Sequence, residues 1–250
     1  MKMHFLQSGS AGNCTLAIFG NTKILIDVGI YKRNIDERLS YFGLSSYDID
    51  GILITHEHID HIKSVRFYEP KLIYATKETL FLYEFNQIEP YKDFYINDVK
   101  ITPLSISHDI KNGLGFVFEY KNTKVFYMTD TGIMLKQNYE YINDCDYIVL
   151  ESNYDREMLM NTSRPTFLKN RIKGQHGHLS NLQCAQILSK IVSKNTKEIY
   201  LAHLSGEANT KEIALTTVKD YLTKKGIDLN NIKITPLDRY EMTLGVDDED

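Results

Sequence analysis

The chain has no tryptophan and only three cysteines among its 250 residues, no surplus of basic side chains and no long apolar run. A membrane-spanning helix needs at least about 18 apolar residues in succession, and none of the runs approaches that length. The opening MKMHFLQSGSAGN carries Lys2 but lacks the apolar stretch of a secretory signal. The expected setting is therefore the cytoplasm, of a bacterium or, for a phage-encoded chain, of the infected host cell, with no membrane partner. Cys14, Cys145 and Cys184 lie far apart without C-x-x-C spacing, which excludes a disulfide framework and a thiolate metal site and leaves three small core residues. With 29 basic against 33 acidic residues the net charge is −4, so no global positive field gathers nucleic acid. A nucleotide substrate has to be held by a local site. No repeat of 20 to 50 residues and no low-complexity linker interrupts the chain.

What is present is the composition of an ordinary globular protein, 42% hydrophobic and 25% charged, with 17 tyrosines and 11 phenylalanines to fill a core. A single domain over 1–246 is expected, followed by a solvated acidic tail, 247–250. Short β-branched and aromatic runs at 14–19, 23–28, 51–55, 72–76, 99–107, 114–120, 123–129 and 146–150 read as strands, with others at 197–202, 232–237 and 240–244. Helical spacing is expected over 34–42 and 77–85. Ser180 to Gln183 reads as a capping box opening a helix with Ala185, Leu188 and Ile191 inward; Asn209 to Glu212 reads as a second, with Gly226 as its stop. Strand groups alternating with helices suggest an α/β sandwich of two sheets with helices outside.

Seven of the eight histidines carry the chemical signal. The strand 51–55 runs into Thr55-His-Glu-His-Ile-Asp-His61, which packs His56, His58, His61 and Asp60 into one turn. Imidazole nitrogen and carboxylate oxygen suit zinc, and also manganese or iron. Four such groups exceed what one tetrahedral ion with an open water position can use, which suggests two metals. Further candidates stand where strands end: His108 after 99–107, Asp130 after 123–129 and His203 after 197–202. Strand ends on one edge of a sheet converge, so these describe a single site.

The motif His56-Glu-His58-Ile-Asp60-His61 resembles the H-x-H-x-D-H of metallo-β-lactamase fold hydrolases, and Asp27 in ILIDVG, His108, Asp130 and His203 follow in the family's order. The resemblance covers nearly the whole chain and implies a four-layer αβ/βα sandwich. It also implies one metal on His56, His58 and His108, a second on Asp60, His61 and His203, and Asp130 between them, with two Zn2+ as cofactors and Mn2+ as the alternative. SGSAGNCT (8–15), ESNYDREML (151–159) and GHLSN (177–181) are similar to the WalJ/YycJ exonuclease group and to phage anti-Pycsar phosphodiesterases of cyclic nucleotides, both related to tRNase Z. One departure is the segment HIKSVRFYEPKLIYA, several residues shorter than WalJ-like chains have there. Related phosphodiesterases pair so that one protomer covers the other's cleft, which implies a homodimer.

GQHGHLSN adds a helix N-terminus, whose free N–H groups favour an anion. Ser180 is read as the cap and as part of a phosphate cradle; His178 is read as contacting the phosphate or protonating the leaving oxygen, with His176 as the substitute. Asp27 is read as orienting the ligand turn from behind rather than binding metal. His4 is expected to be structural and Glu57 to lie at the rim; Glu151, Asn153 and Asp155 follow another strand end, where the resemblance implies a structural or rim role. The expected chemistry is two-metal hydrolysis of a phosphodiester, with a hydroxide between the ions attacking phosphorus and Asp60 as ligand and proton acceptor. The favoured substrate is a 3′,5′-cyclic mononucleotide, as in phage evasion of cyclic-nucleotide immune signalling. Long nucleic acid is the alternative, in a WalJ/YycJ-type exonuclease. Two further readings are a lactone or thioester hydrolase and a metal-binding regulatory module without turnover.

Overall fold

The structure, a computed structural model, describes residues 1–80 and 84–247. Its strands are β1 (Lys2–Gln7), β2 (Cys14–Phe19), β3 (Thr22–Ile26), β4 (Gly51–Leu53), β5 (Ile73–Ala75), β6 (Asn86–Gln87), β7 (Phe94–Ile96), β8 (Val99–Ser105), β9 (Leu114–Tyr120), β10 (Thr123–Met128), β11 (Tyr147–Glu151), β12 (Glu198–Ala202), β13 (Lys233–Pro236) and β14 (Thr243–Asp247). They form two seven-stranded sheets, ordered β14-β1-β2-β3-β4-β5-β6 and β13-β12-β11-β10-β9-β8-β7.

Side-chain alternation explains the layering. In β9 and β10, Phe116, Phe118, Val125 and Tyr127 enter the core between the sheets, while Val117, Phe126 and Met128 face the opposite way. Both faces of these strands are covered, so their sequences read as continuous apolar runs rather than as alternating ones. The outer face of the second sheet is sealed by α5 (Asn181–Ile191) and α6 (Lys211–Lys224) through Ala185, Leu188, Ala214 and Val218. On the first sheet, α1 (Lys32–Ser40) lays Ile35 and Leu39 against Leu16 and Leu25. Helix, sheet, sheet, helix is the four-layer sandwich expected.

Local differences have local causes. The helix expected over 77–85 is absent among the described residues: 77–80 form a turn, and 81–83 lie outside the described part. The cap of α6 is Thr210, whose side chain accepts from the Ile213 N–H; Asn209 instead donates to the carbonyls of Ser152 and Asn153. α1 begins earlier than expected, after Tyr31. Asp247 belongs to β14 rather than to a tail, pairing with Lys2 at 2.6 Å; residues 248–250 lie outside the described part. The short helices α2 (Ile59–Ile62), α3 (Arg156–Asn161) and α4 (Thr166–Lys173) were not anticipated as such. His4 is buried in β1, stacked on Phe42 with ring centroids 4.3 Å apart. All three cysteines are buried and free, and burial raises each thiol's pKa.

Two parallel runs, β3-β4-β5-β6 and β10-β11-β12-β13, present their C-terminal ends for the site. The chain leaving β3 is clamped to the turn after β4 by the Val28 N–H donating to the His61 carbonyl at 2.9 Å. Gly29 makes that approach possible, since a Cβ there would stand 1.6 Å from the Asp60 carbonyl oxygen. Gly29→Ala is expected to overpack this contact, lowering Tm by roughly 5–10 °C in scanning calorimetry. Gly43, whose φ is 69° with open space around the Cβ position, sets the comparison. Gly43→Ala carries only a left-handed penalty of about 1 kcal/mol and a correspondingly smaller shift. Equal shifts for the two variants would reject the clamp.

Candidate metal centre

His56, His58, Asp60 and His61 occupy the turn after β4 and the short helix α2, while His108, Asp130 and His203 follow β8, β10 and β12. Glu151 is the last residue of β11, and His178 precedes the cap of α5. These elements bring the side chains to one place. One donor atom from each of His56, His58 and His108 lies within 4.8 Å of the others, and the same holds for the sets His56, His61, Asp130 and Asp60, His61, His203. A fourth set, Asp130, Glu151, His178 and His203, meets the same distance and shares two members with the others.

Buried carboxylates fix the imidazoles. Asp27 accepts hydrogen bonds from the Thr55 N–H at 2.8 Å and the Thr55 hydroxyl, and lies 2.7 Å from His61 Nδ1. Glu151 lies 2.7 Å from His178 Nδ1 and 3.0 Å from His203 Nδ1, and accepts the N–H groups of Thr131 and Leu179. His108 Nδ1 donates to the Gly177 carbonyl at 2.9 Å. In each case Nδ1 is taken, which commits Nε2 to face other work.

Charge follows this pairing. Burial alone would lower the pKa of His61, but Asp27 and Asp130 outweigh it and hold the group well above the ordinary value. Burial likewise works against His178, yet Glu151, with help from Asp130, raises it to about 9. His56, buried with other imidazoles around it, is pushed well below the usual range. Burial would raise Asp130, but His203, His61 and His56 hold its carboxyl well below the usual range.

Three buried atoms in this cluster, His56 Nε2, His203 Nε2 and Asp130 Oδ2, have no hydrogen-bond partner in the protein. An unsatisfied buried polar atom costs roughly 1–3 kcal/mol, so leaving three at one point is a strong sign of a ligand. Asp27, Asp130 and His203 also hold left-handed backbone, with φ of 59°, 53° and 56°. That conformation costs about 1–2 kcal/mol per residue and concentrates at functional sites. Nitrogen and carboxylate donors with free lone pairs in a shared volume fit divalent metal ions.

His58, Asp60, His108, Asp130, His178 and His203 line a cavity of about 230 Å3, joined at its rim by Ser10, Arg164, Arg171 and His176. Ser180, expected as part of the site, stands apart from the ligand cluster. It does not line this cavity but a separate depression with Tyr154, Arg156 and Lys173. Its hydroxyl is consumed by the capping box, donating to Gln183 Oε1 and accepting from the Gln183 N–H. The helix end expected as a phosphate cradle therefore opens away from the metal cavity, with the Ser180 hydroxyl engaged as a cap.

Two residues do more than the sequence indicates, Glu151 by holding His178 and His203 and Asn13 by holding the ligand turn. Glu151 stands at the end of β11, between the strands that deliver Asp130 and His203, so the strand-end argument applied to it as well. Asn13, within SGSAGN, holds the glycine loop to the ligand turn: its Oδ1 accepts the Gly9 N–H, its own N–H donates to the Asp60 carbonyl, and its Nδ2 lies 3.0 Å from His61 Nε2. Asn153 anchors the His203 backbone by donating to its carbonyl at 2.8 Å, and Asp155 caps α3.

A family model described as the beta-lactamase superfamily domain matches residues 22–204. The exodeoxyribonuclease YycJ of Bacillus anthracis is 31% identical over 246 residues, covering 90% of this chain and 91% of its own. The exodeoxyribonuclease WalJ of Streptococcus pneumoniae is 31% identical over 254 residues, with 94% of each chain covered. Among solved structures, the metallo-beta-lactamase fold protein YhfI of Bacillus subtilis superimposes with a TM-score of 0.72 at 15% identity, over 98% of this chain and 100% of its own. Ligand-type side chains at strand ends, the four-layer fold and these full-length likenesses agree: the chain belongs to the metallo-β-lactamase family of metal-dependent hydrolases and is homologous to the WalJ/YycJ group.

Proposed function

We propose that the protein is a dinuclear phosphodiesterase that removes nucleotides from the ends of DNA. The observation that carries the reading is the convergence of His56, His58, Asp60, His61, His108, Asp130 and His203 on an open cavity beside a Glu151-anchored His178. Its narrowing to DNA is supported by near full-length relatives named as exodeoxyribonucleases. His56, His58 and His108 would hold one ion, Asp60, His61 and His203 the other, with Asp130 shared; zinc suits this nitrogen-rich set, and manganese is the alternative. Divalent ions held there supply Lewis acidity and a nucleophile at neutral pH.

The chain's own groups do the rest. Asp27 keeps His61 oriented, and the Gly177 carbonyl does the same for His108. Glu151 binds His178 at Nδ1, leaving the other edge of a ring that lines the cavity to donate to a phosphate or leaving oxygen. Asp60, partly exposed in the cavity wall, would serve as a ligand and a proton acceptor.

A second reading, hydrolysis of a 3′,5′-cyclic mononucleotide, is favoured by the small cavity and by its two arginines, both already paired: Arg164 with Glu207 at 2.9 Å and Arg171 with Asp109. Pairing of two chains, implied by the resemblance, is a further proposal; light scattering at the mass of one 29.0 kDa chain would dismiss it.

Elemental analysis is expected to return close to two transition-metal ions per chain, and chelation to abolish hydrolysis of bis(p-nitrophenyl) phosphate. One ion or fewer in active protein rejects the dinuclear assignment. Asp60→Ala and His61→Ala should each lower turnover by at least ~100-fold with the circular dichroism unchanged. His178→Ala should lower turnover at constant metal content; loss of metal would make it a ligand instead. On a panel of 5′-phosphorylated single-stranded DNA, cyclic mononucleotides, tRNA precursors and a lactone, the DNA should be the fastest substrate. Higher rates on cyclic mononucleotides at equal metal loading would move the assignment to the second reading.

A further inference from the structure

SGSAG, the glycine-rich loop after β1, and the loop after His203 face each other across one side chain, Arg239, which lies between β13 and β14. Gly9 and Gly206 flank it: a Cβ on Gly9 would come within 3.3 Å of Arg239 Cγ, and one on Gly206 within 1.2 Å of Nη1. Both glycines therefore make room for the arginine. Its Nη2 donates to Ser10 Oγ at 3.2 Å, and exposed Ser10 lines the rim of the metal cavity. The Ser8 hydroxyl accepts the His203 N–H at 3.0 Å, so this loop is tied directly to the site.

The guanidinium of Arg239 lies over the Tyr240 ring, 5.2 Å from its centroid, rather than against a counter-charge. Arg164 and Arg171 at the same cavity each hold a carboxylate, but among the described residues Arg239 has none. Neighbouring Asp238 is engaged by Lys211 and by the N–H groups of Tyr240 and Glu241, and Glu207 is engaged by Arg164. The Nε of Arg239 is buried without a partner. A guanidinium offers N–H donors in a planar fork that matches phosphate; Nε is closed off by burial and Nη1 is packed on Gly206, so Nη2, beside Ser10, is the edge turned toward the rim.

We infer that Arg239 and Ser10 form a subsite for a second, uncleaved phosphate of the substrate, the 5′-terminal phosphate of a DNA strand. The inference rests on the phosphodiesterase reading and deepens it. The scissile phosphate belongs among the clustered imidazoles and carboxylates, whereas Arg239 stands behind the rim and meets it through Ser10. A cyclic mononucleotide carries a single phosphorus and would leave this group unused.

Calorimetric binding of a hydrolysis-resistant phosphorothioate tetrathymidylate, with and without a 5′-phosphate, tests it on the metal-loaded protein. The unaltered protein should prefer the phosphorylated strand by about tenfold or more, the scale of one charge-assisted contact. Arg239→Gln should bring the ratio close to one. Gly206→Ala, which keeps the arginine but fills its space, should do the same, and Arg239→Lys should fall between. No preference in the unaltered protein, or a ratio unmoved in both Arg239→Gln and Gly206→Ala, overturns the subsite. Should the arginine-dependent preference hold while bis(p-nitrophenyl) phosphate is not hydrolysed, the subsite stands and the phosphodiesterase reading falls; the converse result sinks the subsite alone.

Discussion

The fully buried carboxylate of Asp27 joins β3 to the turn after β4, receiving the Thr55 amide, the Thr55 hydroxyl and the His61 imidazole. Such a group is costly to bury unless every lone pair is used, and here its partners come from the turn that carries His56 and His61. The position of the ligand turn is thus fixed by a charge that has nowhere else to go. Gly29 lets the backbone close to contact distance beside it, and Asn13 locks the other side. Three segments distant in sequence are thereby held to one geometry by Asp27, Gly29 and Asn13, none of which lines the cavity itself.

Glu151 performs the equivalent task in the second sheet. It ends a strand as Asp27 follows one, is fully buried, and gathers two imidazoles and two backbone amides. Each sheet thus brings its own carboxylate to the shared edge, and between them His56 and His203 keep buried, unpartnered Nε2 atoms. Strained backbone at Asp27, Asp130 and His203 fits this view, because a residue turned out of its strand can reach the interface only through an unfavourable φ that the surrounding hydrogen bonds must offset.

The fold was legible where periodicity has a physical cause. Strands covered on both faces gave continuous apolar runs, and β9 was read to its terminal residues because its two sides meet different cores. Helix starts were legible when the capping side chain had no rival partner, as at Ser180. They were misread where it did: Asn209 looks like a cap in sequence but is drawn to the Ser152 and Asn153 carbonyls. The histidine and aspartate positions could be read because ligand chemistry restricts residue type. Glu151 ends a strand as the ligands do, but its hold on two imidazoles arises only when β11 is set between β10 and β12.

Substrate choice was the least legible property, because net charge says little about where charges are neutralised. The sequence shows 29 basic residues and a total of −4, from which long DNA looks disfavoured. In three dimensions the arginines differ: the two that line the cavity are spent on carboxylates, while Arg239, threaded between glycines behind Ser10, has no carboxylate partner among the described residues. One such guanidinium behind a cavity rim can select a terminal phosphate without any basic surface, since the terminus is a local feature and the remainder of a strand can stay in solvent. A chain of negative net charge is therefore compatible with a substrate that is itself a polyanion, provided that the enzyme reads its end rather than its length.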